Sequence, residues 1–156
     1  MKKLGILILM SLSLSSCIKD KMTRIKAFWY NTTTHDITIL CYKNGVVLPT
    51  DTIKILPTQN YLFGESSEMG DFKGPGFSSV HAGTSNDSVV VYFDHIYRVS
   101  HYGNEPSSLS DKYYLYSSPR SIRNPNNYEF EMIRDKERVN IHRYYFTEAD
   151  YEYAKE

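Results

Sequence analysis

Apolar side chains recur at every second position over much of the chain, in short runs divided by turn-forming residues. A period of two puts alternate residues on opposite faces of a pleated strand. Residues 24–31 alternate Ile25, Ala27 and Trp29 with Arg24, Lys26 and Phe28, which predicts a first strand. A second covers 37–43 and ends at Asn44-Gly45. That pair supplies two consecutive positive φ angles at little cost, as a type I′ hairpin requires. The returning arm, 46–56, contains Pro49, so it breaks there or lies at a sheet edge. After the turn at 57–60 comes a short strand, 61–63. Residues 64–87, with Gly74-Pro75-Gly76 near their middle, read as one long loop.

Ser88-Val89-Val90-Val91-Tyr92-Phe93 is an apolar run that suits a central strand buried on both faces. Asp94-His95 makes a tight turn into a strand at 96–102, a short aromatic strand occupies 112–116, and 117–127 is a loop rich in Pro and Asn. Segments 128–134 and 138–146 form a hairpin across Asp135-Lys136-Glu137. On its second arm Val139 and Ile141 set one phase, while Tyr144 and Phe146 set the other, which predicts a β-bulge near His142 or Arg143. The chain closes with a helix: Thr147 is the N-cap, Glu148 and Asp150 lie in the first turn, and Phe146 and Tyr151 hold the staple positions. The pattern predicts a mainly β chain, an antiparallel β-sandwich or open barrel with a short C-terminal helix.

The first seventeen residues are of a different kind. Lys2 and Lys3 precede an apolar stretch, 4–14, shorter than the roughly 20 residues of a bilayer-spanning helix, so it reads as the hydrophobic part of an export signal. Leu14-Ser15-Ser16-Cys17, which follows, resembles the lipobox of bacterial lipoproteins. The resemblance implies a signal peptide, 1–16, that is cut away, and diacylglyceryl attachment at Cys17 with acylation, palmitate being one such chain, of its new amino group. It divides the rest into a tether, 17–23, and a single β-rich domain, 24–156. Ile18 rather than Asp follows the cysteine, which by the enterobacterial sorting pattern implies the outer membrane of the cell envelope. Beyond the lipobox, Val89-Val90-Val91-Tyr92-Phe93-Asp94 and the tail Tyr145-Phe146-Thr147-Glu148-Ala149-Asp150-Tyr151 are similar to segments of small all-β lipoproteins of Bacteroidota. That likeness carries no active site with it.

Charge narrows the partners. Cleavage would remove Lys2 and Lys3 and turn the balance of 18 basic and 18 acidic residues into a net charge of −2. Such a chain has no electrostatic footprint for nucleic acid and no polybasic patch for a membrane, so the lipid on Cys17 is the expected membrane contact. Cys41 lies in a strand-like run and reads as a small buried hydrophobe. The five histidines, His35, His81, His95, His101 and His142, show no metal-ligand spacing, and no cofactor motif is present. Glu129 and Glu131 share a strand face, where a solvated cross-strand pair opposite Arg138 or His142 is simpler than glycosidic chemistry.

Fourteen tyrosines against one tryptophan favour strands and half-wet surfaces. Tyr102, Tyr113, Tyr114 and Tyr116, near two loops, are the candidate ligand contacts. The expected function is a non-enzymatic, lipid-anchored envelope protein that engages another protein or serves as a structural accessory. The alternatives are a glycan-binding module using surface Tyr and Trp, and a hydrolase with scattered carboxylates.

Overall fold

The computed structural model describes residues 22–47, 52–70, 88–104, 108, 110 and 112–156. Cys17 and the signal peptide lie outside these residues, as do His81 and positions 71–87 of the expected loop. In chain order the strands are β1 (Met22–Asn31), β2 (Ile37–Lys43), β3 (Val46–Val47), β4 (Ile53–Ile55), β5 (Asn60–Met69) and β6 (Ser88–Phe93). They continue with β7 (Tyr97–Tyr102), β8 (Tyr113–Tyr114), β9 (Glu129–Arg134) and β10 (Arg138–Phe146), before helix α1 (Glu148–Lys155). One sheet has the order β5-β1-β10-β9, and the other the order β3-β2-β6-β7-β8, with β4 also paired to β2. The two open sheets form a β-sandwich.

The inner faces follow from strand parity. Ile25, Ala27 and Trp29 of β1 and Tyr144 and Phe146 of β10 meet Ile37, Ile39 and Cys41 of β2, Val89, Val91 and Phe93 of β6, and Val99 of β7 in one core. β6 is central in its sheet, flanked by β2 and β7, as its apolar run suggested. Asn44 and Gly45 have φ of 52° and 73°, so the β2–β3 turn is of the primed kind. The arm bearing Pro49 is split into two short strands on the edge of β2.

Four expectations change. The sandwich is not purely antiparallel: β1 and β10 run parallel at the centre of the first sheet, and β7 and β8 run parallel in the second. Hairpin signals report only neighbours in sequence, whereas β1 and β10 join the two ends of the domain. Second, β5 extends to Met69, so the loop begins later than expected. Residues 64–69 pair with β1 despite their Gly and Ser content, because β1 supplies a long edge of backbone donors and acceptors. Third, the bulge lies in β5: Ala27 pairs with Gly64 and Phe28 with Leu62, leaving Phe63 as the extra residue. Phe63 turns inward and stacks on Trp29 at 4.3 Å. β10 keeps an unbroken register, with Asn140, His142, Tyr144 and Phe146 all buried on its inner face. Val139 and Ile141 lie on the other, outer face, so the apparent phase switch came from a polar interior rather than a kink. Fourth, β1 starts at Met22, so Met22 and Thr23 belong to the fold and not the tether; Thr23 is fully buried and its hydroxyl donates to the Gly70 carbonyl at 2.9 Å.

The polar interior has organising residues that the pattern did not reveal. Asn31, 1 % exposed, uses its whole side-chain amide. Its Nδ2 donates to the carbonyls of His35 and Ile55, while its Oδ1 accepts from the Thr33 backbone N–H and hydroxyl. This shapes the β1–β2 turn. The Pro/Asn-rich segment between β8 and β9 is irregular but packed, with Ser121, Ile122 and Arg123 buried. It is held by a relay in which Trp29 Nε1 donates to the Tyr128 hydroxyl at 2.9 Å and that hydroxyl donates to the Ile122 carbonyl at 2.7 Å. Arg120 Nε donates to Asp150 Oδ1 at 2.9 Å and a second arm of its guanidinium pairs with Oδ2, fastening the same segment to the start of α1. Asp150 Oδ2 also accepts from the Thr147 backbone N–H, completing the expected cap.

Candidate functional site

The register of the second sheet decides which side chains share its outer face. Three rows cross it: Lys54–Thr38–Tyr92–Arg98, Leu40–Val90–Ser100–Tyr113 and Val47–Tyr42–Ser88–Tyr102. All point away from the core residues that alternate with them. Tyr42 and Tyr92 stand four register positions apart, about 13 Å along the strands. Val90 and Thr38 are each 8 % exposed, although both face outward. Burial, then the Tyr92 phenol, raise the Tyr42 pKa, with Arg98 opposing them.

The four tyrosines singled out from the sequence do not act together. Tyr102 and Tyr113 do meet on this outer face, with ring centroids 6.4 Å apart and planes tilted by 57°. Tyr114 turns the other way, stacking on Tyr153 of α1 at 4.9 Å and lying 5.3 Å from the His101 ring. Burial, with the nearby Asp150, pushes its phenol up to about 12. Tyr116 lies beyond the end of β8 and is 46 % exposed. Tyr42 and Tyr92 were missed. Their parity with Leu40 and Val90 was visible, but only the β2–β6 register shows that they share one face.

The outer face of the first sheet is of another kind. Arg24 pairs with Glu65 across strands and with Glu137 of the β9–β10 turn, while Lys26–Glu65 and Arg143–Glu131, the latter at 2.5 Å, are also cross-strand pairs. Glu131 therefore takes the charged partner expected of a solvated pair, although that partner is Arg143. Phe28, Tyr30 and Tyr145 cluster at one end of this face, among those charges.

The histidines are placed structurally. Asp94 and His95 form the β6–β7 turn with φ of 51° and 60°, as the tight turn required. Asp94 Oδ2 lies 2.6 Å from Nδ1 of His35, and that hydrogen bond holds the Asp94 carboxyl below its usual range. The other nitrogen of His35 faces Glu148 at 3.5 Å, and its ring stacks on Tyr151 at 3.6 Å. With a carboxylate on each side, His35 ties the β1–β2 turn to the β6–β7 turn and the start of α1. His101 and His142 are buried. Among the described residues no group of three or more His, Cys, Asp or Glu side chains could hold a metal ion. No protein-family model, curated protein or solved structure matches the chain.

Proposed function

We propose that this is a lipid-anchored envelope protein whose sandwich is a non-enzymatic interaction module, holding an envelope partner on the outer face of the second sheet. The contrast between the two outer faces carries the reading. On the first sheet the charges are paired across strands, the usual condition of a sheet face turned to water. On the second, Tyr42, Tyr92, Tyr102 and Tyr113 surround aliphatic and hydroxyl side chains, with Arg98 and Lys54, both in the row through Thr38, as the charges and no carboxylate in the three rows. Aromatic side chains enriched and charges depleted on an outward surface are the composition of a contact patch.

Anchoring is supported by Leu14-Ser15-Ser16-Cys17. At roughly 0.8 kcal/mol per buried methylene, several acyl chains on one cysteine hold a protein firmly at a bilayer. Only Ile18, Lys19, Asp20 and Lys21 separate that cysteine from β1, at most about 14 Å of extended chain.

Two measurements test the reading. Cells should hold the protein in the membrane fraction with acyl mass on Cys17, and Cys17→Ser should accumulate as precursor. Normal cleavage and release of that variant would overturn the anchor. A benzophenone amino acid placed at Tyr102 of the full, lipidated chain should give one discrete adduct in cells, lost when Tyr42 and Tyr92 are both alanine. No adduct from position 102 would overturn the interaction face.

A further inference from the structure

We propose that the end of the first sheet where β1 starts rests on the bilayer, with Met22 and Met69 seated in its interface. This rests on the lipid-anchor reading and adds to it a second, non-covalent contact between the domain and the membrane. Register brings the two methionines together. Met22 of β1 pairs with Met69 of β5, and by parity both point to the outer face, where they are 55 % and 70 % exposed. The next row across that face is Ser67–Arg24–Val139–Ile133, and Ile133 is 42 % exposed. From Met69 to Ile133 is three strand spacings, about 14 Å. The strand ends that carry this rim are tied together, because the fully buried Thr23 donates its hydroxyl to the Gly70 carbonyl at 2.9 Å.

Chain length selects the bilayer as the occupant. With Cys17 held at the membrane by its acyl chains, the four residues before Met22 keep the start of β1 within about 14 Å of the anchoring point. A folded domain of about 100 residues, with a radius of gyration of about 13 Å, is thicker than that gap, so no protein layer fits between this rim and the lipid. The side chains suit the same occupant. Methionine is unbranched and flexible, so it adapts to a fluid surface that offers no fixed shape. Charges beside the rim are already neutralised: Arg24 lies 3.8 Å from Glu65 and 3.4 Å from Glu137, and Lys26 lies 3.6 Å from Glu65. These bridges leave no excess of either sign, so the contact needs no anionic lipid. The other end of β1 is acidic, with Asp36, Asp94 and Glu148 gathered around His35, and that is the end to stay in water. Seated on its methionine rim, the sandwich keeps the tyrosine face of the second sheet on its far side, open to a partner.

The test uses the full, lipidated chain reconstituted in phosphatidylcholine vesicles with no other protein present. A single environment-sensitive fluorophore is attached at Met69→Cys or, as the control, at Ile96→Cys, which is 71 % exposed in the β6–β7 turn at the acidic end. Cys41 is 2 % exposed and does not compete for the label. An apolar face at the membrane interface sits about 5–10 Å into the boundary between headgroups and acyl chains. A nitroxide high on the lipid acyl chain should therefore quench the label at position 69 several-fold more than the label at position 96. Met22→Ser with Ile133→Ser should bring the quenching at position 69 down toward the control level. Both side chains are exposed, so melting temperature should hold, and the acyl chains should still carry the variant down with the vesicles. Equal quenching at the two positions, in a chain that carries acyl mass on Cys17, overturns the docking while the anchor stands. Quenching at position 69 that survives the serine pair also overturns it, since the short tether alone would then account for the proximity. A chain without acyl mass overturns the anchor, and the docking falls with it.

Discussion

Replacing Tyr128 with Phe removes one oxygen and leaves the ring. That oxygen accepts from the Trp29 indole at 2.9 Å and donates to the Ile122 carbonyl at 2.7 Å, so it joins the first sheet to the irregular segment before β9. Trp29 is 3 % exposed, Ile122 1 % and Tyr128 7 %, so water cannot readily replace the lost partner. Burial also pushes the Tyr128 phenol far up, which keeps it a protonated donor at any working pH. An unsatisfied buried polar group costs about 1–3 kcal/mol, and here a donor and an acceptor are both affected, so the expected loss is about 2–4 kcal/mol. Packing should change little, because the ring still sits 6.0 Å from Phe63 and 5.4 Å from Tyr144. The assay is urea unfolding followed by far-UV circular dichroism. Trp29, the one tryptophan, reports locally on its own surroundings by fluorescence. A double-mutant cycle isolates the bond: Trp29→Phe costs cavity energy alone and in combination, but the pair together should cost about 1–2 kcal/mol less than the sum of the two. Strict additivity, or a Tyr128→Phe loss below about 0.5 kcal/mol, would refute the claim that this relay fastens the segment.

Three further outcomes are expected. His101 accepts from the Ile122 backbone N–H at 3.2 Å, and burial, followed by Arg120 and Arg123, lowers its pKa to about 3. Between that value and the unfolded value of 6.5 the unfolded chain binds more protons, so stability falls on acidification, by about 2 kcal/mol from pH 7.5 to 5; His101→Asn should flatten that part of the pH profile. His95 has φ of 60° and an exposed side chain whose Nδ1 lies 3.4 Å from the Thr38 hydroxyl, so His95→Gly should stabilise by about 0.5 kcal/mol in thermal unfolding, strain relief offsetting glycine's entropy, and a destabilised variant would mean that the Thr38 contact is worth more than the strain. Asp150 is 3 % exposed and serves both Arg120 and the helix cap, so Asp150→Asn should cost about 2–4 kcal/mol, measured in the same way.

Most of the architecture was legible because its signals are local. Asn44-Gly45 and Asp94-His95 name their own turns, since positive φ is a property of the two residues concerned. Val89, Val91 and Phe93 of β6 face the core while Val90, on the outer side, is also buried, so the unbroken apolar run truthfully reported burial on both sides. What escaped was set at long range. The parallel partnership of β1 and β10 depends on chain ends more than 100 residues apart. The extension of β5 past Gly64 depends on β1 offering an edge, and nothing within 64–69 announces it. On β10, two buried polar residues, Asn140 and His142, precede two buried aromatics on one face, and an apolar pair occupies the other. Hydrophobicity alone reads that arrangement as a shift in phase.

The tyrosine face shows the same limit at the level of function. Parity along one strand says that Tyr42 faces with Leu40, and along another that Tyr92 faces with Val90. It cannot say that the two share one face of the sheet, because that requires knowing that Leu40 lies opposite Val90. Tyr113 and Tyr114, neighbours in sequence, are parted by the same rule that brings Tyr102 and Tyr113 to one side. Density of aromatic residues in sequence is therefore a poor guide to a platform in a β-sandwich, since neighbours in a strand point to opposite faces. An aromatic face is assembled across strands, and here its four tyrosines come from four of them, β2, β6, β7 and β8.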